Sequence, residues 1–303
     1  MNALNHQMIS DVTGVLNKYK DREDIKNIVF EGAGDRAFCA GGDVKAVYYL
    51  GQDNPKSAMK YFADEYAMNA IIHDYPKPII SLCHGYVMGG GYGVAGNGQH
   101  IVVDNTTKFA MPETAIGFFP DVGIGWKLAR AGALGMYIAL CGDVFDADVM
   151  IAAGLATHKV DSVSNFDFNM DVAVKDEIPN QKEIEDIFLK DSLEDIWRSL
   201  DQSQTEFSKT TLQTLQSRSP ISLHITFHHL KLAKKETYHQ SIARDYRLAC
   251  AFILKSDLFE GIRAQLIDKD KCPKWQSSSI FNISQADIDY YLQFSDDDNI
   301  KQF

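Results

Sequence analysis

The chain has 303 residues, of which 45% are hydrophobic and 23% charged, and its formal net charge is −11 at pH 7. This composition is typical of a globular protein with one large or two smaller domains, and it excludes a fibrous or disordered chain. The negative charge argues against nucleic acid as the main partner, and the cluster of Lys231, Lys234 and Lys235 is better explained as a solvated helix face.

The five cysteines are an odd number and include no C-x-x-C pair, which favours reduced thiols in an intracellular compartment. The sequence contains neither a secretory leader nor eighteen consecutive apolar residues. We therefore expect a soluble, cytoplasmic protein without membrane contact.

The N-terminal half alternates predicted helices and strands. Apolar residues at helical spacing predict a helix over 4–19, and a run rich in β-branched residues predicts a strand over 25–30. A glycine-rich loop over 31–43 follows. A second helix is expected over 57–74, and two prolines then precede a strand over 79–83.

A cluster of glycines at 88–93 follows this strand directly. Glycines there would let backbone N–H groups approach an anion or an oxyanion, and a tight turn or close helix–strand packing is the alternative. Short strands at 101–103 and 109–111 come next. The alternation indicates an α/β protein with helices packed on sheets.

The segment 162–182 is polar, acidic and without a clear period, so we place a domain boundary there, with a first domain over 1–181 and a second over 182–303. The second is predicted to be helical, with helices beginning at Pro220 and Tyr238 and a last helix capped by Ser284.

Two carboxylates in the stretch 111–125, Glu113 and Asp121, each adjoin a proline in apolar surroundings. Burial raises the pKa of a carboxyl group, and a second carboxylate raises it further, so such a pair can supply an acid and a base near neutral pH. From this stretch alone, a helix cap at Glu113 and a turn at Asp121 explain the pattern equally well.

Segments 37–43, 84–91 and 111–123 together resemble the crotonase superfamily of enoyl-CoA hydratases and isomerases, and 260–275 is similar to the C-terminal signature of its branch that hydrolyses 3-hydroxyisobutyryl-CoA. The resemblance implies a crotonase-like α/β fold. Repeated ββα units form a two-sheet core, and a helical C-terminal region follows.

The resemblance also implies an acyl-CoA thioester site. The backbone N–H groups at positions matching Gly42 and Gly90 would form an oxyanion hole for the thioester carbonyl. Preorganised donors stabilise developing negative charge, and loss of one donor typically costs about 3–4 kcal/mol.

Hydratase and hydrolase differ in their carboxylates. Gly93 stands where a hydratase usually carries its first glutamate, whereas Glu113 with Asp121 is the pattern of the hydrolase. We therefore expect a thioester hydrolase that acts on 3-hydroxyisobutyryl-CoA in valine breakdown. An enoyl-CoA hydratase or isomerase, and a CoA-binding protein that has lost activity, remain the alternatives.

The resemblance assigns roles to three acidic residues. Glu113 would attack the thioester or activate a water, and Asp121 would hold the substrate's 3-hydroxyl or shuttle a proton. Glu65 matches a substrate-contacting glutamate, and an exposed helix carboxylate is its alternative. Coenzyme A belongs to the substrate, so no separate cofactor is expected.

The remaining candidates carry less support. His224 and His228 have a spacing that can bind zinc, but without a third ligand in view we expect no metal site. His84 is expected to be a packed histidine, and Arg36 either approaches a CoA phosphate or is solvated. A homo-oligomer is left open, because relatives in the superfamily associate through their C-terminal helices.

Members of the superfamily usually begin with one or two strands before the segment matching 1–4. We therefore expect an unpaired sheet edge near this point and an effect on CoA binding, unless an upstream part exists.

Overall fold

The computed structural model describes residues 1–167, 169–173 and 177–295, and its strands divide between two parallel sheets. In spatial order, the first sheet contains β1 (Ile28–Glu31), β3 (Ile79–Cys83), β5 (His100–Val103) and β7 (His158–Lys159). The second sheet contains β2 (Ala37–Cys39), β4 (Tyr86–Met88) and β6 (Lys108–Ala110). Odd-numbered strands join one sheet and even-numbered strands the other, which confirms the predicted two-sheet core.

Seven helices in the described part of the chain before residue 160 cover these sheets or connect their strands. They are α1 (His6–Tyr19), α2 (Val44–Asp53), α3 (Pro55–His73), α4 (Gly90–Gly96), α5 (Ile124–Arg130), α6 (Gly132–Cys141) and α7 (Ala147–Ala152). Helix α3 begins two residues earlier than predicted, because Asn54 caps it and Pro55 suits its first turn. Its buried face includes Phe62, Glu65 and Tyr66.

The C-terminal part is helical, as predicted. Its helices are α8 (Gln181–Phe188), α9 (Leu193–Ser203), α10 (Glu206–Gln216), α11 (Pro220–Ala233), α12 (Tyr238–Ile253), α13 (Ser256–Ile262) and α14 (Gln285–Leu292). Helix α12 packs against α3, so apolar side chains from both halves of the chain join one buried cluster. The boundary at 181/182 stays a prediction, and the predicted second domain beyond residue 295 lies outside the described residues.

Strand β1 lies at the edge of the first sheet, with β3 as its one neighbouring strand within the described residues. Val29 on this edge is 51% exposed. None of the helices in the described ranges is both long enough and apolar enough to cross a membrane.

Candidate active site

The two glycine clusters and both predicted carboxylates line one cavity of about 570 Å³. Its walls come from α3, from the loop after β2, from the junction of β4 and α4, and from the segment after β6. Residues of α13 and of the C-terminal signature close one side. The topology thus brings Gly42, Glu65, Gly90, Glu113 and Asp121, which are far apart in the chain, to a single cavity.

Gly42 owes its orientation to the pairing of the N-terminal segment. Leu4 N–H donates to Gly41 O at 2.8 Å, and Asp43 N–H donates to Leu4 O at 2.8 Å, which makes Leu4 and Gly42 a parallel bridge. In a parallel bridge of this pattern, the groups that pair with Leu4 belong to Gly41 and Asp43, the residues on either side of Gly42. The N–H and C=O groups of the middle residue point to the opposite side. Gly42 therefore directs its N–H away from Leu4.

The carboxylates of Glu65 and Glu113 occupy the space into which side chains at Gly90 and Gly89 would project. A Cβ atom on Gly90 would be 2.4 Å from Glu65 Oε1 and 3.2 Å from Gly42 N, and one on Gly89 would be 2.9 Å from Glu113 Oε1. These distances leave no room for a methyl group at Gly90. The two predicted oxyanion-hole residues are therefore neighbours, with carboxylates on the adjoining surface.

Glu113 begins a short 3₁₀ turn, Glu113–Ile116, directly after Pro112. The residue is only 6% exposed, and its Oε2 atom has no hydrogen-bond partner in the described structure. Burial raises the pKa of Glu113 well above its ordinary value, and the charges of Asp121 and Glu65 raise it further. A carboxyl group in this state can take up a proton near neutral pH.

Asp121 is buried and accepts a hydrogen bond from the Tyr66 hydroxyl, with an O···O distance of 2.5 Å. Burial raises the pKa of Asp121 to about 7, while the Tyr66 hydrogen bond lowers it. The next residue, Val122, has a φ of +53°, a conformation that β-branched residues rarely adopt. The Asp121 carboxylate therefore projects from a strained turn.

Glu65 lies on α3 and is only 2% exposed, so its interpretation as an exposed helix carboxylate is wrong. Its Oε1 atom has no hydrogen-bond partner among the described residues. Burial raises its pKa well above the ordinary value, and the Asp121 charge adds to this effect. Three acidic groups thus share one cavity and cannot all be ionised at low cost.

Gly93 has no space for a side chain. A Cβ atom on it would be 2.8 Å from Val122 Cβ and 3.0 Å from Asn69 Nδ2. The Asn97 side chain donates to Gly93 O at 2.7 Å and to Val122 O at 3.1 Å, so it joins helix α4 to the turn after Asp121. The position at which the resemblance places the glutamate of a hydratase thus has no space for a side chain here.

Sequence reasoning missed Tyr66, which binds Asp121, and Asn69, which lies close to Gly93, although one signal was available. Phe62, Glu65, Tyr66 and Asn69 follow the i, i+3, i+4, i+7 spacing, which puts three polar groups on a buried helix face. Both polar atoms of Asn69 lack hydrogen-bond partners within the described residues. A polar group on the apolar face of a helix marks a functional candidate.

The C-terminal signature contributes one wall of the cavity through Gln265, Leu266 and Lys271. Arg263 holds this segment together, since its guanidinium binds both carboxylate oxygens of Glu260, at 2.8 and 2.9 Å, and donates to two further aspartates at 2.6 Å. The signature therefore has a structural part, around Arg263, and a part that faces the cavity.

The remaining candidates lie apart from this cavity. His224 Nε2 is 2.9 Å from Ile280 O, and His84 Nε2 is 2.8 Å from Gly34 O, so each ring has a packing role. Arg36 is exposed. Within the described ranges, no three His, Cys, Asp or Glu side chains are grouped in a way that could hold a metal ion.

A larger depression, of about 1220 Å³, lies on another part of the surface near α6 and α7. Its lining includes the ion pair of Lys159 and Asp148 but none of the predicted site residues. The smaller cavity is the better candidate because it combines buried carboxylates with backbone donors.

Comparison with known proteins gives a consistent result. The sequence profile described as Enoyl-CoA hydratase/isomerase matches residues 1–176 and 163–292. The 3-hydroxyisobutyryl-CoA hydrolase of Xenopus laevis is 35% identical and covers 95% of this chain, which spans 82% of that protein. The human protein of the same name is 33% identical, with coverages of 97% and 83%.

Solved structures agree on the fold. A carnitinyl-CoA dehydratase from Mycobacterium thermoresistibile superposes with a TM-score of 0.90 at 33% identity, covering 97% of this chain and 91% of its own. An enoyl-CoA hydratase from Rhodobacter sphaeroides also has a TM-score of 0.90, at 30% identity, with coverages of 96% and 90%. The predicted crotonase-like fold is confirmed.

The prediction of a cytoplasmic location is wrong by this comparison. The relatives from Xenopus laevis, Dictyostelium discoideum and human are all named as mitochondrial proteins. Cysteine content cannot separate these compartments, because thiols are kept reduced in more than one of them.

Proposed function

This chain belongs to the enoyl-CoA hydratase/isomerase family, and from this premise we propose that it is a thioester hydrolase that cleaves 3-hydroxyisobutyryl-CoA to 3-hydroxyisobutyrate and coenzyme A. Its similarity to the hydrolases of that name over nearly its full length supports this assignment. With this substrate the enzyme would act in valine breakdown.

The observation that carries the choice between hydrolysis and hydration is the packing at Gly93. Addition of water to a double bond in this family uses a glutamate at the position of Gly93, and a Cβ atom there would be 2.8 Å from Val122 Cβ. The buried carboxylates that line the cavity are Glu65, Glu113 and Asp121, and the last two are the pair expected of the hydrolase. This arrangement supports hydrolysis over hydration.

In the proposed reaction the thioester oxygen accepts hydrogen bonds from the N–H groups of Gly42 and Gly90. A C–O bond forms at the carbonyl carbon and the C–S bond breaks, and the departing thiolate takes up a proton. The new C–O bond comes either from Glu113 itself, through an anhydride that water then hydrolyses, or from a water that Glu113 deprotonates.

Asp121 is proposed to hold the 3-hydroxyl of the substrate or to shuttle a proton, and Glu65 to contact the substrate. The raised pKa values of Glu113 and Asp121 support proton transfer near neutral pH. Cavity-facing lysines such as Lys45 and Lys271 are exposed at its border, where the phosphates of coenzyme A could bind. Association into a homo-oligomer stays a prediction.

A panel of acyl-CoA thioesters, assayed for free thiol, tests the assignment. We expect the highest kcat/KM for 3-hydroxyisobutyryl-CoA and much lower values for acetyl-CoA. Hydration of crotonyl-CoA that is faster than any thiol release would instead establish a hydratase. Binding of CoA by calorimetry without cleavage of any thioester would establish a binding protein.

A further inference from the structure

Behind the cavity, a buried carboxylate binds the backbone next to the catalytic turn. Asp245, on α12, has 0% of its surface exposed, and its Oδ2 atom accepts a hydrogen bond from Gly123 N–H at 2.8 Å. Asp245 does not line the cavity. It therefore contacts the turn that follows Asp121 without reaching the space for the substrate.

The other oxygen of Asp245 faces a histidine whose protonation can be deduced. Arg244 Nε–H donates to His229 Nδ1 at 3.1 Å, and because a guanidinium cannot accept a hydrogen bond, Nδ1 carries the lone pair. Burial lowers the pKa of His229 well below its ordinary value, so the ring is neutral and its proton is on Nε2. That atom is 3.2 Å from Asp245 Oδ1, a close polar contact that is not a hydrogen bond, since neither atom has a hydrogen-bond partner among the described residues.

Arg244 is itself fixed by an ion pair with Glu236 and by a 3.0 Å hydrogen bond to His229 O. The chain of contacts thus runs from Glu236 through Arg244 and His229 to Asp245, and it ends at Gly123 N–H. Asp245 Oδ2 accepts the hydrogen bond from Gly123 N–H, whereas Oδ1 lies beside His229 Nε2 without a hydrogen bond, so the Gly123 contact orients this side chain. Burial raises the pKa of Asp245 well above its ordinary value, while the Gly123 hydrogen bond lowers it.

The turn that Asp245 binds needs such support. Val122 has a φ of +53° and Gly123 a φ of +79°, and a Cβ atom on Gly123 would be 2.6 Å from the Tyr238 ring. A β-branched residue in this conformation is strained and persists only where the surroundings enforce it. Asp245 and Tyr238, seven residues apart on one face of α12, enclose Gly123.

We propose that Asp245 is a positioning residue that holds the turn at Val122 and Gly123, and thereby keeps the Asp121 carboxylate in the cavity against Tyr66. This inference rests on the proposed function only for its kinetic test. In this proposal α12 takes part in the reaction by holding the turn after Asp121, a role that neither the glycine clusters nor the C-terminal signature has.

The test is a double-mutant cycle between Asp245→Asn and Asp121→Asn. In D245N the new amide meets either Gly123 N–H or His229 Nε2–H with a second donor, so kcat should fall about tenfold with KM changed less than about threefold. In the D121N background the same substitution should cost less than about twofold, because the two residues act as one unit. Additive effects would overturn the proposal.

Asp104→Asn is the matched control. Asp104 is also a buried carboxylate, it accepts a hydrogen bond from Val163 N–H at 3.2 Å, and it lies outside the cavity. Its kcat should stay within about twofold of the wild type. A fall as large as that of D245N would mean that any buried carboxylate has this effect, and would overturn the positioning role.

If D245N does not fold, two substitutions at His229 address the same contact. In H229Q the amide keeps a polar nitrogen beside Asp245 Oδ1, whereas in H229N the side chain keeps an acceptor for Arg244 and the polar contact with Asp245 is lost. The kcat of H229N should fall several-fold more than that of H229Q. Equal values for both variants would contradict the proposal.

A wild-type enzyme that releases no thiol from 3-hydroxyisobutyryl-CoA would refute the proposed function and leave this inference testable. A crystal structure of D245N, or of H229N, then decides. We expect the Asp121–Tyr66 hydrogen bond, 2.5 Å in the wild type, to be broken. An unchanged bond would overturn the inference.

Discussion

The Val122 side chain fills the space into which a side chain at Gly93 would project, with 2.8 Å between Val122 Cβ and a Cβ atom built on Gly93. Val122 also carries the positive φ of the turn that presents Asp121. One residue thus shapes the turn after Asp121 and leaves no room for a side chain at Gly93, where a hydratase is expected to carry a glutamate. The two features on which the proposed choice of hydrolysis over hydration rests are therefore coupled by packing.

Gly93→Ala should destabilise the protein, because the added methyl group would overlap Val122 Cβ and Asn69 Nδ2. We expect the free energy of unfolding to fall by about 1–3 kcal/mol, measured with denaturant. Gly14→Ala is the control: Gly14 lies in α1 with nothing within 4 Å of a new Cβ atom, so this change should stabilise by about 0.5–1 kcal/mol. A G93A variant as stable as the wild type would refute the packing argument.

Gly90→Ala should remove most of the activity. Its methyl group would lie 2.4 Å from Glu65 Oε1, so either the Gly90 N–H or the Glu65 carboxylate must move. We expect kcat to fall by about 10²–10³-fold, the usual effect of losing one oxyanion-hole donor. Undiminished thiol release by G90A would exclude Gly90 from the hole.

Glu113→Gln should lower kcat for thiol release by at least about 10³-fold, because the amide can neither attack the thioester nor accept a proton. The fold should be retained, since burial disfavours the charged form of Glu113 in the wild type. Glu23→Gln, at an exposed glutamate, serves as the control for loss of one negative charge. Wild-type turnover by E113Q would remove Glu113 from the mechanism.

Tyr66→Phe removes the hydroxyl that donates to Asp121, and this hydrogen bond lowers the Asp121 pKa. We expect the acidic limb of the kcat/KM profile to move to higher pH, because Asp121 would ionise later. Tyr75→Phe is a matched control, since the buried Tyr75 hydroxyl donates to Leu16 O at 2.8 Å. Both variants should lose about 1 kcal/mol of stability, and only Y66F should shift the profile.

Asp121→Asn should change how stability depends on pH. The ordinary pKa of an aspartate is 3.8, and that of folded Asp121 is about 7, so between these values the folded state binds more protons. Protonated Asp121 therefore contributes favourably to the free energy of unfolding at low pH, and this contribution is lost as the pH rises from about 4 to 7.

D121N should have a higher free energy of unfolding than the wild type. This difference between the two proteins should be larger at pH 8 than at pH 4.5, by on the order of a few kcal/mol. Denaturant unfolding at both values measures it. Asp186→Asn, at an exposed position in α8, is the reference. A gain that is larger at pH 4.5 would mean that the Asp121 pKa is lowered in the folded state.

A helix with apolar residues at helical spacing and a strand made of a continuous apolar run were both predictable. The helix expected over 57–74 is α3, Pro55–His73, and the strand expected over 79–83 is β3, Ile79–Cys83. Strands β2 and β4 were missed, because each has three residues beside glycines and shows no alternation. Helix α4 was seen only as a glycine cluster, since glycine is a poor helix former and tertiary packing decides its conformation.

The cavity residues Gly42, Gly90, Glu113 and Asp121 could be proposed from motifs, because motif residues stand in fixed order along the chain. Tyr66 could not be assigned to Asp121, and Asp245 could not be found at all. Their roles depend on contacts between α3, α12 and the turn after β6, and spacing within one segment does not encode such contacts.

The hydrogen bond from Gly123 to Asp245 joins residues 122 positions apart, and the one from Tyr66 to Asp121 joins residues 55 apart. Contacts of large sequence separation slow folding, because closing the intervening chain costs conformational entropy. The hydrogen bond between Gly123 and Asp245 can form during synthesis only after α12 has left the ribosome. A chain that stops short of α12 would hold both glycine clusters and both carboxylates and still lack the contact that orients Asp121.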